Sequence, residues 1–380
     1  MLKTLHQTKS RQATWLELFF DLIFVAVIDV VAHDLEHAEH GHIGMDQLLL
    51  FPFIFIPVWW IWITHTLYAN RFDNDSYLHR LFALVIMGLL VILSTFAESS
   101  MEASFVYYVA IYVVIRVLLA LLYLRIHANH QDQVAFAKGM GISVLVGAGI
   151  CLSAVFFEGV LKFVIFYTGI VVDMGLQFRL RHSTKAFPVD RKHLVERVSL
   201  LAIIILGEAV IGMVDSLAEI DVWDSTTILG ALVSFAFIWA IWWTYFDKIE
   251  YLERAKRMTD ANVQIYSHLI LCMGLLILCS LVEHVIKTDL DSETFSRLAI
   301  TGMLGLYLGK QIVYFASYPP LRRILALNTL LVLGVTIAST LLPQAQYALI
   351  GMTLAILLDI FLMNRQLSTQ DLSDYLAEHH

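Results

Sequence analysis

Runs of about twenty apolar residues recur along this chain with little between them, near 13–33, 46–69, 77–97, 104–126, 134–157, 160–180, 193–214, 225–246, 263–284, 296–316, 323–342 and 345–364. A run of that length crosses the hydrocarbon core of a bilayer as a helix, where every backbone polar group must be satisfied inside the segment. With 59% hydrophobic and 15% charged residues, the chain lies outside soluble composition. The expected fold class is therefore all-α, a polytopic membrane protein of about 12 transmembrane helices whose first partner is the lipid bilayer. The N-terminus leads into a full-length span with no small-residue cleavage site, so no secretory signal is read.

The first run carries three carboxylates, Glu17, Asp21 and Asp29. A carboxylate facing lipid costs roughly 2.5–3.5 kcal/mol, so intramembrane acids turn toward a bundle interior or water. At 100° per residue the three fall at about 0°, 40° and 120°, on one side of the helix. Glu17 and Asp29 then stand about 18 Å apart along the axis. That side is expected to line something polar.

The basic residues set the expected topology. If the chain starts inside, 20 of its 25 lysines and arginines fall in cytoplasmic segments. The positive-inside rule then places both termini in the cytoplasm of a multi-pass protein of the cell membrane, the inner membrane in bacteria.

Polar landmarks inside the runs repeat. Glu17 and Asp29 recur as Glu196 and Glu208, with the same separation. Trp59, Trp62 and Thr64 recur as Trp239, Trp242 and Thr244, and Met87-Gly88-Leu89-Leu90 as Met273-Gly274-Leu275-Leu276. Asp173 and Arg179 recur as Asp359 and Arg365, and Arg116 answers to Lys310 with a local shift of register. Apolar residues match by chance; buried charges rarely do. The reading is a first six-helix repeat over 1–180, a basic cytoplasmic linker over 181–192, and a second repeat over 193–380 with a short cytoplasmic tail. An even span count per repeat makes the two parallel, related by an axis along the membrane normal.

Trp15-Leu16-Glu17-Leu18-Phe19-Phe20-Asp21-Leu22-Ile23-Phe24 resembles the opening signature of the bacterial low-temperature-requirement A family of membrane proteins. His193-Leu194-Val195-Glu196-Arg197, followed by Gly207-Glu208, is similar to that family's second signature. The resemblance covers nearly the whole chain and implies a fold more than an activity.

Several residues could carry chemistry. Glu17, Asp21, Asp29, Glu196 and Glu208 could take up protons or cations, or pair permanently with buried bases, or cap helix ends. Arg116 and Lys310, in mid-span, each need an acid or an anionic ligand, and Asp173 and Asp359 are the matched candidates by topology. Arg197 joins the same ion-pathway set. Trp59, Trp62, Trp239 and Trp242 read either as an interfacial belt or as an aromatic wall for a substrate. His65, followed in the repeat by Tyr245, is a core histidine or a proton relay. His33, His37, His40 and His42 lie in an acidic outer loop, as a solvated segment, a pH sensor or a weak metal site. Cys151, Cys272 and Cys279 sit in apolar runs without metal or disulfide spacing.

No G-x-S-x-G, H-E-x-x-H, phosphate loop or dinucleotide fingerprint occurs in plausible context, so neither an enzyme nor a cofactor is read, and nothing points to nucleic acid. The leading expectation is a proton- or ion-coupled transport protein with an acidic pathway lined by helices 1 and 7, acting on an unnamed ion or small molecule. A cation or proton channel is the first alternative: Phe20, Asp21 and Phe24 resemble the first-helix pattern of the lysosomal potassium and proton channel family, though Leu200 stands where Asp21 would repeat. A membrane-embedded lipid-modifying or lipid-handling protein is the second.

Overall fold

The computed structural model describes residues 12–36, 38, 41–72, 76–97, 101–126, 131–180, 189–247, 249 and 261–367. Among these, twelve long helices follow one another: α1 Trp15–Glu36, α2 Met45–Phe72, α3 Tyr77–Ser94, α4 Met101–Leu124, α5 Gln131–Ser153, α6 Val160–Arg179, α7 Arg191–Ala218, α8 Ser225–Phe246, α9 Ala261–Lys287, α10 Ser292–Ser317, α11 Arg322–Ser339 and α12 Ala345–Leu367. Each corresponds to one apolar run. Eleven are long and apolar enough to cross a membrane. The exception is α1, which carries Glu17, Asp21, Asp29, Asp34 and Glu36.

Short polar side chains start several helices by accepting otherwise unpaired N–H groups. Ser76 Oγ accepts from His79 N (3.2 Å) at α3, and Asp224 Oδ1 from Thr227 N (2.8 Å) at α8. Asp291 Oδ1 accepts from Glu293 N (2.8 Å) and Thr294 N (3.1 Å) at α10.

The helices are apolar on both faces. In α3, Ala83, Ile86, Met87, Leu90 and Leu93 turn inward, while Leu81, Leu84, Val85, Val91 and Ile92 stay exposed. An outward face as greasy as the core suits lipid and not water. This is a multi-pass membrane protein.

The chain divides into two compact units. Unit 1 comprises Met1–Asp34 and Leu49–Arg197, and unit 2 comprises Leu35–Leu48 and Val198–His380. In unit 1, α4 packs on α3 and α5, and α5 on α6. Small residues bring α5 and α6 close: a Cβ on Gly147 would lie 2.6 Å from Asp173 Cβ, so Gly147 is what lets Asp173 face inward.

In unit 2, α9 packs on α10, α10 on α11, α11 on α12 and α12 on α8. The α9–α10 seam is close backbone contact. A Cβ on Gly309 would lie 2.5 Å from Leu271 N and 2.6 Å from its Cα, and one on Gly274 would lie 2.7 Å from Gly305 C.

A clasp closes one end of unit 2. Leu35 O accepts from Ser280 Oγ (2.5 Å) and faces His284 Nε2 (2.8 Å), whose Nδ1 lies 2.8 Å from Asp289 Oδ1. Gly41, at φ +85°, turns its carbonyl to accept from Asp291 N (2.9 Å), a backbone conformation that suits glycine. His42 Nδ1 stands 2.8 Å from Asp291 Oδ2.

Candidate functional site

In unit 1 the starts of α1 and α7 meet in a buried charge cluster. Helix α1 opens with a reciprocal cap. Thr14 Oγ1 accepts from Glu17 N (3.3 Å), while Glu17 Oε2 accepts from Thr14 N (2.7 Å) and from the Thr14 hydroxyl (2.9 Å). Helix α7 opens on Asp190, whose Oδ1 accepts from His193 N (3.2 Å). One turn on, Arg197 reaches across to α1. Its Nε and Nη2 donate to Asp21 Oδ2 (3.0 Å) and Oδ1 (2.6 Å), and Nη1 lies 3.1 Å from Glu17 Oε1. Trp62 Nε1 also donates to Asp21 Oδ1 (2.8 Å). Glu17, Asp21, His193 and Arg197 are all completely buried.

Asn70 fixes the histidine. Its Oδ1 accepts from Asp190 N (2.8 Å) and its Nδ2 donates to Asp190 O (2.8 Å), which orients the amide. The remaining Nδ2 proton points at His193 Nδ1 (3.0 Å), so that nitrogen accepts and the ring proton sits on Nε2, 3.3 Å from Glu17 Oε1. Among the described residues the cluster brings together two carboxylates, one guanidinium and a histidine held as an acceptor on one side, a concentration of negative charge in a dry site. The N-terminal dipoles of α1 and α7 offset part of it.

A second buried centre in unit 1 joins α2, α4 and α6. Arg116 Nη1 donates to Thr64 Oγ1 (2.9 Å) and Trp60 O (3.2 Å), and Nη2 pairs with Asp173 Oδ2. Asp173 Oδ2 also accepts from Trp60 Nε1 (2.7 Å), and Oδ1 from Gln177 Nε2 (3.0 Å). Unit 2 holds the corresponding centre on α8, α10 and α12. Lys310 Nζ donates to Thr244 Oγ1 (2.7 Å) and Asp359 Oδ2 (3.1 Å), which also accepts from Tyr307 (3.2 Å). In each unit a threonine, a cation and an aspartate meet.

A family model described as Bacterial low temperature requirement A protein matches residues 12–367. The chain belongs to that family. The low temperature requirement A match takes in both charge centres of unit 1 and the centre of unit 2. An uncharacterized protein of Rhizobium meliloti (strain 1021) is 24% identical over 296 residues, covering 71% of this chain and 68% of its own. No solved structure matches.

The other sequence candidates of this family member scatter. Glu196 and Glu208 are half-buried on α7, and the Asp29 side chain lies outside the described residues. Trp59 and Trp62 are fully buried in unit 1, whereas Trp239 and Trp242 are each 44% exposed on unit 2. The repeated spacing therefore does not carry a repeated environment. His65 stacks on Phe20, centroids 4.0 Å apart, with Nε2 3.4 Å from His79 Nε2; Tyr245, at the matched position, faces His268 Nε2 at 3.0 Å. Of the loop histidines, His42 pairs with Asp291, while the side chains of His33, His37 and His40 lie outside the described residues.

Sequence reasoning missed the roles of His193, Asn70 and Thr14. Thr14-x-x-Glu17 is a capping-box spacing and was a readable signal for one of them. Nothing in the sequence joined Asn70 to His193.

Proposed function

We propose that this protein is a proton- or ion-coupled transport protein whose charge-handling centre lies between α1 and α7. The observation that carries this reading is the complete burial of Glu17, Asp21, Arg197 and His193 together in one cluster between apolar helices. Ionisable side chains at membrane depth are costly to keep, and buried acids grouped with a histidine mark ion or proton pathways. The distribution of basic residues supports a cell-membrane protein with both termini in the cytoplasm, and the recurring threonine–cation–aspartate centres support two parallel six-helix repeats. Substrate and partner are an ion or small molecule reached through this centre.

Purified protein in liposomes under an imposed pH gradient tests the proposal. Wild-type protein is expected to carry proton or coupled ion flux, and Glu17→Gln to lower it at least tenfold per folded molecule. Conductance without saturation would redirect the reading to a channel. Unchanged flux and pH response in Glu17→Gln would refute it.

A further inference from the structure

The two threonine–cation–aspartate centres differ in what surrounds the acid. In unit 1 both oxygens of Asp173 are occupied, Oδ2 by Arg116 and Trp60 and Oδ1 by Gln177. The cation there is a guanidinium, which stays charged in proteins. In unit 2 the cation is an amine, and Asp359 Oδ1, although buried, has no hydrogen-bond partner among the described residues.

Two clefts meet at Lys310. One is lined by Thr244, Asp247, Gln311, Tyr314 and Asp359, the other by Tyr245, Gln264, His268 and Tyr314; Lys310 and Tyr314 belong to both. Gln311 Oε1 in the first, and both Oε1 and Nε2 of Gln264 in the second, have no partner among the described residues. Gln264 is 4% and Gln311 7% exposed. Buried amides are normally paired, and an unpaired buried amide beside a water-sized space is satisfied by water. Neither cleft has room for an organic solute.

We propose that Lys310 is a hydrated proton-exchange site joining two water-filled clefts in unit 2, while Arg116 is the inert counterpart that pins unit 1. Among the described residues, the charged and titratable groups facing Lys310 are Tyr245 from α8 and Asp247 just past its end, His268 from α9, Asp359 from α12, and Tyr307 and Tyr314 from its own helix. The step is a proton transfer only. The Lys310 ammonium gives a proton to water in the Gln264 cleft, and the resulting amine takes one from water beside Asp359; no other bond changes. As a relay, this rests on the transport reading above; as a hydrated site, it does not.

The test uses the full chain in lipid. Hydroxyl-radical footprinting by X-ray radiolysis modifies side chains that touch bound water. Tyr314 and Met363, which line the first cleft, are expected to react at least fivefold faster than similarly buried Tyr68 of unit 1, and Gln264→Leu to slow His268 modification at least threefold. Equal rates for Tyr314, Met363 and Tyr68 would overturn the proposal. In liposomes Lys310→Arg, which keeps the charge and cannot give up its proton, is expected to lower proton flux at least tenfold. Wild-type flux in Lys310→Arg would also overturn the proposal, and Gln264→Leu, with reduced flux expected, stands in if Lys310→Arg does not fold. If wild-type protein carries no proton flux, the transport reading falls by itself and the footprinting pattern decides the site.

Discussion

Arg197→Met removes the guanidinium that the described residues place in the α1–α7 cluster while keeping most of its volume. Three contacts vanish: those to Asp21 Oδ2 at 3.0 Å, to Asp21 Oδ1 at 2.6 Å and to Glu17 Oε1 at 3.1 Å. Two acids with no exposure to water lose the guanidinium that faces them. Removing one partner of a buried ion pair costs about 3–5 kcal/mol, and stranding two acids places this variant at the upper end of that range. Neutralising both acids as well, in Arg197→Met/Glu17→Gln/Asp21→Asn, is expected to recover most of the loss, because exchanging a whole buried ion network for neutral groups is about neutral. Equilibrium unfolding in mixed micelles measures both variants. The reasoning makes a paired demand: the single variant is destabilised by several kcal/mol, and the triple variant is near wild type but without proton flux. A single variant within about 1 kcal/mol of wild type would show that Arg197 does not neutralise these acids, and a triple variant with full flux would reduce the cluster to scaffolding.

Two further outcomes follow from unit 2. Gly309→Ala forces a methyl group against the Leu271 backbone, so a loss of about 1–3 kcal/mol or more is expected in the same unfolding assay, and a neutral result would mean that the α9–α10 seam can open. Burial pushes the Asp291 carboxyl up, but hydrogen bonds from Thr294 and the Glu293 amide, together with His42, outweigh it and hold the group below its ordinary value. A carboxyl depressed on folding adds stability that is present above its unfolded value of about 3.9 and is lost as pH falls through the folded one. Thermal unfolding scanned from acid to neutral pH should lose stability at the acid end, and Asp291→Asn should flatten that slope; equal slopes would refute the assignment.

Hydropathy placed all twelve helices because a span must be long and apolar, and that constraint is written residue by residue. Rotation of each helix about its axis is written much less clearly. Trp59 and Trp239 share spacing and neighbours, yet one is buried and the other faces outward. Both lipid and core accept an indole, so neither position is penalised. Charges are more legible, since Arg116 and Lys310 had to find acids, and Asp173 and Asp359 stood at matching places. Arg197 was harder to read. Its bidentate partner Asp21 is 176 residues earlier in the chain, and a basic residue near a span end is equally well explained by headgroups.

The clasp of unit 2 has a consequence for biogenesis. The segment Leu35–Leu48 leaves the ribosome early, between α1 and α2, yet belongs to unit 2. Its acceptors at Leu35 and Gly41 receive Ser280 and Asp291. At a synthesis rate of about 5–20 residues per second, these donors arrive roughly 10–50 s later. Through that interval Leu35 and Gly41 lack these two donors. Expressing 193–380 alone would deprive α9 and α10 of the same acceptors, so the two halves are not interchangeable with the two units, and a split between them should assemble only when the early hairpin is supplied in the same membrane.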